Sequence, residues 1–172
     1  EQSADHRLLR RVPPPADWKL GAATEEIRRA IFVDTETTGL GDRDEVIELA
    51  LVPFEYERDS GRIVAVDHRN LFSQLRQPSF PIPPASVAIH GLSDKDVAGK
   101  TINTEMVNAL VEPAHLIIAH NAAFDRPMAE KHWPIFEGKH WGCSLADIDW
   151  KGEGLGSAKL DYLLLKQGWF FN

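Results

Sequence analysis

The pattern of hydrophobic and polar positions predicts three strands in the first half of the chain, followed by alternating helices and strands. The run AIFVDTE at 30–36 is apolar on both faces, which is typical of a central strand. Segments 45–57 and 63–75 predict two more strands, separated by the turn RDSGR, and we expect the three to form an antiparallel meander. HLIIAH at 115–120 predicts a fourth, buried strand, and KHWGCSLADI at 139–148 predicts a fifth that runs into a loop.

Three segments have the spacing or the end signals of helices. Residues 103–112 place four apolar side chains on one face, namely Met106, Val107, Leu110 and Val111. A second helix is predicted near 122–132, with an open starting point because Pro127 fits best in a first turn. A third begins after Ser157 as its cap and ends at Gly168. The order βββαβαβα predicts an α/β layer fold with a mixed sheet.

The first 29 residues have the character of an appendage to a domain that spans 30–172. Three consecutive prolines at 13–15 favour an extended segment and cannot continue a helix. The six basic and five acidic residues of this segment nearly cancel. A strap packed on the domain through Leu8, Leu9 and Trp18 is therefore favoured over a basic arm that contacts nucleic acid.

Composition and charge narrow the class of protein. A chain of 172 residues with 43% hydrophobic and 26% charged residues has the values of a globular domain with a core of its own. The net charge of −7, from 19 basic and 26 acidic residues, argues against a coat protein that binds DNA regardless of sequence. Six of the acids lie within 34–48, against one arginine, so part of the negative charge is concentrated.

The chain carries no signal for a membrane or an oxidising compartment. No apolar run approaches the roughly 18 residues of a membrane span, and the first residues lack the apolar core of a signal peptide. Cys143 is the single cysteine, which excludes an intramolecular disulfide and fits a reducing compartment. We therefore expect no membrane partner and a cytoplasmic location.

Two carboxylates stand at the end of the first predicted strand. Asp34 and Glu36 are two residues apart, so they share one face of the strand, and Thr37-Thr38-Gly39 follows as turn chemistry. Open α/β sheets build their sites where strands emerge from the core in this way. The alternative is a structural pair that only hydrogen-bonds nearby backbone groups, and for a lone D-x-E pattern this alternative is the commoner one.

A second polar cluster follows the fourth predicted strand and favours a functional site over a structural pair. In LIIAHNAAFD, a buried strand is followed at once by His120, Asn121 and Asp125. Two strand ends that both deliver carboxylates suggest one shared pocket of hard oxygen ligands. Such a pocket suits Mg²⁺ or Mn²⁺ better than Zn²⁺, and a divalent cation would remove the repulsion between the acids.

These two motifs carry a family resemblance. DTETTG at 34–39 and HNAAFD at 120–125 resemble the first and second motifs of the DEDD 3′–5′ exonucleases, a group that includes the proofreading epsilon subunit of bacterial DNA polymerase III. The segment PIPPASVAIHGLSD between them is similar to the family's stretch near the terminal nucleotide. The resemblance covers about 30–172 and implies a ribonuclease-H-like fold, with a mixed five-stranded sheet flanked by helices.

The resemblance also implies a reaction and a set of site residues. It implies hydrolysis of a single-stranded nucleic acid from its 3′ end with two metal ions, Mg²⁺ or Mn²⁺, and release of nucleoside 5′-monophosphates. Asp34 would bridge both ions, Glu36 would hold the ion that bears the attacking water, and Asp125 would support the other ion. The residues expected at the substrate are Thr37, Thr38, Leu40, His90 and Asn121. DNA is the expected substrate, and a DNA polymerase subunit is a further expected partner.

One part of the family pattern does not occur in the sequence. The histidine branch of the family ends its site with His-x-x-x-x-Asp on a last helix, and outside the second motif no such pair is present. We therefore expect the natural protein to continue past Asn172 with the general-base histidine and the fourth carboxylate. Two alternatives stay open: an RNA-directed exoribonuclease or oligoribonuclease, and a non-catalytic nuclease-like module that binds nucleic acid or a polymerase.

Overall fold

The structure, a computed structural model, describes residues 10–14, 18 and 20–170. Its strands are β1 (Arg10–Arg11), β2 (Ile27–Thr37), β3 (Val46–Glu57), β4 (Ile63–Val66), β5 (Phe72–Leu75), β6 (Leu116–Ala119), β7 (His140–Cys143) and β8 (Trp169–Phe170). Its helices are α1 (Pro84–His90), α2 (Asp94–Val97), α3 (Thr104–Val111), α4 (Ala122–His132) and α5 (Leu160–Gln167), with a short 3₁₀ helix at Pro134–Phe136. Within the described ranges, every helix is too short or too polar to traverse a lipid bilayer.

The main sheet is mixed, as the sequence predicts. Its strands lie in the order β4-β3-β2-β6-β7, and β5 also pairs with β3. Strand β2 is antiparallel to β3 and parallel to β6, which in turn is parallel to β7. Because β2 and β6 run in the same direction, their carboxyl ends meet at one edge of the sheet. The first polar motif, at 34–39, lies at the end of β2, and the second, at 120–125, directly follows β6.

The sheet has six strands instead of the five expected, because the predicted strand at 63–75 is divided in two. Strands β4 and β5 both pair with β3, at different points along it. Between them, the Asp67 carbonyl accepts a hydrogen bond from the Asn70 N–H at 3.1 Å, and the Asp67 carboxylate accepts one from Asn70 Nδ2 at 2.8 Å. This local turn gives the polar residues partners of their own and interrupts the pairing with β3.

The core lies between one face of the sheet and the helices α3 and α4. In β2, Ile31 and Val33 are buried in this core, whereas Phe32 on the other face is 39% exposed. Of the predicted apolar face of α3, Val107 and Val111 are fully buried and Leu110 is partly buried, whereas Met106 is 48% exposed. The alternation along β2 therefore fixes which face its remaining residues take, including the acids at its end.

Helix α4 begins at Ala122, and Pro127 lies inside it, beyond the first turn in which the sequence favours it. A proline there cannot donate the usual hydrogen bond to the carbonyl of Ala123, four residues earlier. Both Ala123 and Pro127 are exposed, so water can reach that carbonyl. Helix α5 also differs from its prediction: its N-cap is Lys159, not Ser157, whereas Gly168 closes it with φ 81° as expected.

Among its described residues, the N-terminal segment takes part in strand pairing at two places and also hydrogen-bonds the turn after β3. Strand β2 starts at Ile27, three residues before the predicted boundary, and pairs there with Glu57. Strand β1 pairs in parallel with β8, in a separate two-stranded sheet. Of the predicted strap contacts, Leu8 and Leu9 fall outside the described residues, and Trp18 is 40% exposed with its Nε1 donating to the Pro13 carbonyl at 2.9 Å.

Candidate functional site

Asp34 and Glu36 lie near the end of β2, on the face opposite the core. Asp34 is an exposed residue and Glu36 is half-buried. The protein atoms around each carboxyl group remove part of its hydration, and this desolvation is the main cause that raises both pKa values. The charge of Glu48 raises the pKa of both acids further, and Asp34 and Asp125 add to the effect on Glu36. The acids therefore repel one another, and a bound cation would stabilise their charged forms.

Asp125 lies in the first turn of α4 and contacts β2 directly between these two acids. Its Oδ1 accepts hydrogen bonds from the backbone N–H of Thr35 at 3.1 Å and from Thr35 Oγ1 at 2.8 Å. Asp125 is only 4% exposed, and this burial raises its pKa to about 6; the bonds from Thr35 oppose the rise, and the charge of Asp34 adds to it. Because Thr35 stands between Asp34 and Glu36 in the chain, this contact brings the second motif to the first.

The loop after β2 is held by its own threonines. Thr37 and Thr38 are buried, at 6% and 1% exposure. Thr37 Oγ1 donates to the Gly39 carbonyl at 2.7 Å, and Thr38 Oγ1 donates to Asp44 Oδ1 at 2.8 Å. A side chain at Gly39 would meet the Asp44 carboxylate at 2.6 Å, so this close approach requires glycine. Both threonine hydroxyls thus shape the loop, and their predicted contacts with substrate remain a prediction.

Lys131 and Ser86 connect this loop to the rest of the domain. Lys131 Nζ donates to the carbonyls of Asp42 and Asp44 at 2.7 and 2.8 Å. On the other side, Ser86 Oγ from α1 donates to the Thr38 carbonyl at 2.7 Å. Helices α4 and α1 therefore both hold the loop that follows the acids.

Leu40 and His90 differ in exposure and bonding. Leu40 lies in the loop after β2 and is 85% exposed. His90 is the last residue of α1, and its Nδ1 accepts a hydrogen bond from the Leu92 N–H at 3.0 Å. The other ring nitrogen of His90, Nε2, is buried and has no hydrogen-bond partner within the described residues.

Asn121 and His120 stand where β6 passes into α4. Asn121 has φ 98° and ψ 52°, a conformation that side-chain-bearing residues rarely adopt, and it is exposed. As the N-cap of α4, it makes no side-chain capping bond, so its amide is available to a ligand. The ring of His120 is held by a 2.9 Å hydrogen bond between its Nδ1 and Ser144 Oγ, and its charge lowers the pKa of Asp34.

Glu48 is a site residue that the sequence reasoning counted only as one of six clustered acids. It lies on β3 directly opposite Glu36, and its half-buried side chain faces the same side of the sheet. The pairing register of the two strands carries this information, and the sequence does not state that register. The β2–β3 hairpin pattern is the one signal that could have suggested it.

The side chains at the site fit a hydrated hard cation. Within residues 10–14, 18 and 20–170, no three His, Cys, Asp or Glu side chains are arranged to hold a metal ion together. Mg²⁺ is commonly bound by only one or two carboxylates, with waters and substrate phosphates as its other ligands. Asp34 and Glu36 can supply those carboxylates, whereas Oδ1 of Asp125 already accepts from Thr35. The oxygen donors suit Mg²⁺ or Mn²⁺ better than Zn²⁺.

Comparison with known proteins assigns the chain to a family. A family model described as Exonuclease, of the RNase T type, matches residues 31–133, a range that contains both strand ends and Asp125. The chain belongs to this exonuclease family. The family includes the proteins that the motifs DTETTG and HNAAFD resemble, so the resemblance found in the sequence is confirmed.

Relatives in the exonuclease family match part of the chain. It is 34% identical over 99 residues to an uncharacterized exonuclease of Escherichia phage 186, a match that covers 55% of this chain and 44% of the relative. It is 32% identical over 106 residues to DNA polymerase III subunit epsilon of Pasteurella multocida, covering 56% of this chain and 38% of the relative. The match therefore spans less than half the length of either relative.

A solved exonuclease structure shows the same fold. The structure of E. coli exonuclease I in complex with a 5cy-dA13 oligonucleotide has a TM-score of 0.58 and 17% sequence identity, and the match covers 82% of this chain and 36% of that one. The predicted ribonuclease-H-like α/β fold is confirmed by this likeness and by the mixed sheet flanked by helices.

Proposed function

We propose that the protein is a metal-dependent 3′–5′ exonuclease that acts on single-stranded nucleic acid. The observation that carries this proposal is the contact of Asp125 with Thr35, between Asp34 and Glu36, in a chain of the exonuclease family. The contact joins the two sequence motifs at one edge of the sheet. It fixes the buried carboxylate of Asp125 on the residue between two more accessible acids, which supports different roles for the three carboxylates.

In this proposal Asp34 and Glu36 bind Mg²⁺ or Mn²⁺, and Asp125 supports the site through its contact with Thr35. When bound, the divalent cation supplies the charge that activates a water and stabilises the leaving oxygen of the phosphodiester. Desolvation and the charges of neighbouring acids raise the pKa values of Asp34 and Glu36, and a bound cation would oppose this rise by stabilising the charged carboxylates. The Thr35 hydrogen bonds keep the carboxylate of Asp125 in one orientation.

The residues around the acids are suited to bind the end of a nucleic acid strand. Leu40 offers an exposed apolar surface to the terminal base, and the uncommitted amide of Asn121 offers hydrogen bonds to a phosphate. Thr37, Thr38 and His90 are the other residues that we propose near the substrate. The net charge of −7 leaves little attraction for a long duplex, which fits contacts confined to one end.

DNA is the proposed substrate and nucleoside 5′-monophosphates are the proposed products. Support comes from relatives whose names specify DNA: exodeoxyribonuclease 10 of Escherichia coli, 34% identical over 95 residues, and DNA polymerase III subunit epsilon of Pasteurella multocida. The epsilon name also supports a DNA polymerase as a partner. RNA is the alternative substrate.

A labelled-oligonucleotide assay tests the proposal with the protein in the longest form that its gene encodes. Single-stranded DNA and RNA of one sequence, each labelled at the 5′ end, are incubated with Mn²⁺ or Mg²⁺ and with chelator. We expect a ladder of shortened, still labelled DNA that requires the cation and disappears in Asp34→Asn. Immediate release of the label as a mononucleotide would instead indicate 5′–3′ polarity, and full cleavage in chelator would overturn the metal mechanism.

A second candidate function is a nuclease-like module that binds nucleic acid without cleaving it. The His-x-x-x-x-Asp pair distinguishes it from the enzyme, because such a module would lack this pair in the longest form that the gene encodes. Fluorescence anisotropy of the same oligonucleotides separates the two candidates. The module would be established, and the enzyme excluded, if the protein binds the oligonucleotides but does not cleave them with any divalent cation. In that case Asp34→Asn should leave the binding unchanged.

A further inference from the structure

Glu48 shares one face of the sheet with Asp34 and Glu36. The antiparallel register pairs Glu36 with Glu48 and Asp34 with Ala50. Directly opposite residues of an antiparallel pair have Cβ atoms about 4.5–5.5 Å apart, and diagonal neighbours are about 7–8 Å apart. Glu48 is therefore a near neighbour of both acids. Its charge reaches them, because it raises the pKa of each.

Ser73 holds the carboxylate of Glu48 in place. Ser73 lies on β5, on the other side of β3, and its Oγ donates to Glu48 Oε1 at 2.7 Å. The other carboxylate oxygen of Glu48 accepts no hydrogen bond from the part of the chain that the structure describes. One oxygen is thus oriented by the protein, and the second is left for a ligand on the side of the acids.

Glu48 differs from two acids that support the fold, because it has no cationic partner in the described part of the chain. Two other acids with little exposure are each paired with an arginine, Glu57 with Arg62 at 2.6 Å and Glu45 with Arg76 at 2.7 Å. Among the described residues, Glu48 forms no ion pair, although Lys100 lines the same surface hollow. Like charges directly opposite on a sheet destabilise it. The arrangement therefore costs stability unless a cation joins it.

We propose that Glu48 is a positioning residue of the cation site: fixed by Ser73, it adds a third negative charge and accepts hydrogen bonds from water bound to a cation held by Asp34 and Glu36. This inference rests on the proposed function and extends it to a residue outside both motifs. It also agrees with the absence of a three-ligand group among the described residues, because Glu48 acts through water and charge.

Calorimetric titration with Mn²⁺ alone, without nucleic acid, tests the proposal. Glu48→Gln keeps an oxygen that can accept from Ser73 and removes only the charge. We expect it to raise the Kd for Mn²⁺ roughly fivefold to tenfold, as one charge about 7 Å away does in a water-filled site. Ser73→Ala keeps the charge and loses the orientation, and it should raise the Kd by roughly twofold to fivefold. Glu55→Gln is the matched control: it removes one charge from β3 at its exposed pair with Arg29, and should leave the Kd unchanged.

Thermal unfolding in chelator separates this role from a purely structural one. If Glu48 only supported the fold, Glu48→Gln should lower the unfolding midpoint. Removing repulsion should raise the unfolding midpoint of Glu48→Gln by roughly 1–3 °C above that of Glu55→Gln. A Kd for Glu48→Gln within twofold of the control overturns the inference, whatever the midpoint does. Should Glu48→Gln fail to fold, Ser73→Ala decides, and an unchanged Kd there overturns it.

Asp34→Asn separates this inference from the proposed function. If Asp34→Asn abolishes Mn²⁺ binding while Glu48→Gln does not weaken it, only the role of Glu48 is wrong. If Asp34→Asn binds Mn²⁺ like the unchanged protein, the cation site of the proposed function is wrong, and the role of Glu48 falls with it.

Discussion

The two ends of the paired strands β2 and β3 both carry acids, and the surroundings shift the pKa values of these acids in opposite directions. At one end, Glu57 is 1% exposed and accepts hydrogen bonds from Arg62 Nη2 at 2.6 Å, Ser60 Oγ at 2.7 Å and the Thr24 N–H at 2.7 Å. These bonds, with that of Arg62 the largest cause, lower its pKa to about 2. At the other end, Asp34 and Glu36 accept no such hydrogen bonds from the residues that the structure describes, and their pKa values are raised.

The difference distinguishes an acid that stabilises the fold from acids kept for a ligand. Glu57 links the end of β3 to the following turn and to the N-terminal segment by hydrogen bonds. Groups of the protein itself therefore stabilise its negative charge. The negative charges of Asp34 and Glu36 are not stabilised in this way, and their repulsion lowers the stability of the fold. Substitutions should therefore weaken the fold at one end and weaken function, while sparing or improving the fold, at the other.

The largest effect is expected for Asp34→Asn. Because the amide keeps an oxygen but loses the negative charge that binds a divalent cation, nuclease activity should fall by at least about 10³-fold. The unfolding midpoint in chelator should stay the same or rise, since repulsion with Glu48 is relieved. Turnover of an oligonucleotide and thermal unfolding measure the two parts. A drop in the midpoint together with preserved turnover would reverse the assignment of the two ends.

Arg62→Ala should have the next largest effect, on stability alone. It leaves the buried carboxylate of Glu57 without its cationic partner, so the unfolding midpoint should fall by roughly 5–10 °C. Arg58→Ala is the control, because Arg58 pairs only with exposed acids and should change the midpoint by less than about 2 °C. Mn²⁺ affinity should be the same in both variants, and a loss of affinity in Arg62→Ala would show that the two ends are coupled.

The pH dependence of the Glu57 end should have a defined sign. Its pKa is lowered from 4.5 to about 2 in the fold, so its contribution to stability is fully present above 4.5. That contribution is lost as the pH falls from 4.5 towards 2, because the folded state must then take up a proton it resists. Unfolding midpoints of the unchanged protein and of Glu57→Gln should differ at pH 7 and converge towards pH 2. A constant difference across this range would contradict the expectation.

Asp125 should show the opposite sign at the other end. Its pKa is raised from 3.8 to about 6, so in chelator its contribution is present below 3.8 and is lost as the pH rises through 6. Asp125→Asn cannot ionise and retains an oxygen that accepts from Thr35. It should therefore be more stable than the unchanged protein at pH 7 and equal to it near pH 3.5. Thermal unfolding at both pH values measures this, and a lower midpoint at pH 7 would show that the ionised form supports the fold.

Asn121 should give the smallest effect on stability and a separate one on binding. Asn121→Gly suits the φ of 98° and should change the free energy of unfolding by less than about 0.5 kcal/mol, whereas Asn121→Ala should cost about 1 kcal/mol. Both variants lack the amide, so both should weaken oligonucleotide binding by roughly twofold to tenfold. Denaturant unfolding and anisotropy measure the two quantities. Equal stability of the two variants would show that the backbone here carries no strain.

Local patterns were sufficient to predict the elements that hold the site. The alternation in AIFVDTE put Asp34 and Glu36 on one face of a central strand, and the apolar run in HLIIAH predicted a buried strand with polar residues after it. Both follow from the period-two geometry of a strand, which is a property of neighbouring residues. The roles of Asp34, Glu36 and Asp125 in a reaction remain predictions.

Features that depend on residues far apart were not predictable in the same way. The opposition of Glu36 and Glu48 requires the pairing register of two strands, which the intervening loop and its bulge at Glu36/Thr37 set. The bond between Thr35 and Asp125 requires the docking of α4 on the sheet. The division of β4 from β5 was missed for a local reason, because a strand pattern does not show that Asp67 and Asn70 bond to each other.

The hydrogen bond from Thr35 to Asp125 spans 90 residues of sequence, and this separation has a consequence for when the site exists. Contacts between residues so far apart form late in folding, because a long loop must close before they contribute. During synthesis, the segment DTETTG leaves the ribosome well before residue 125 does. A nascent or partly unfolded chain therefore presents its acids without the assembled site, so the proposed nuclease activity should arise only with the completed fold.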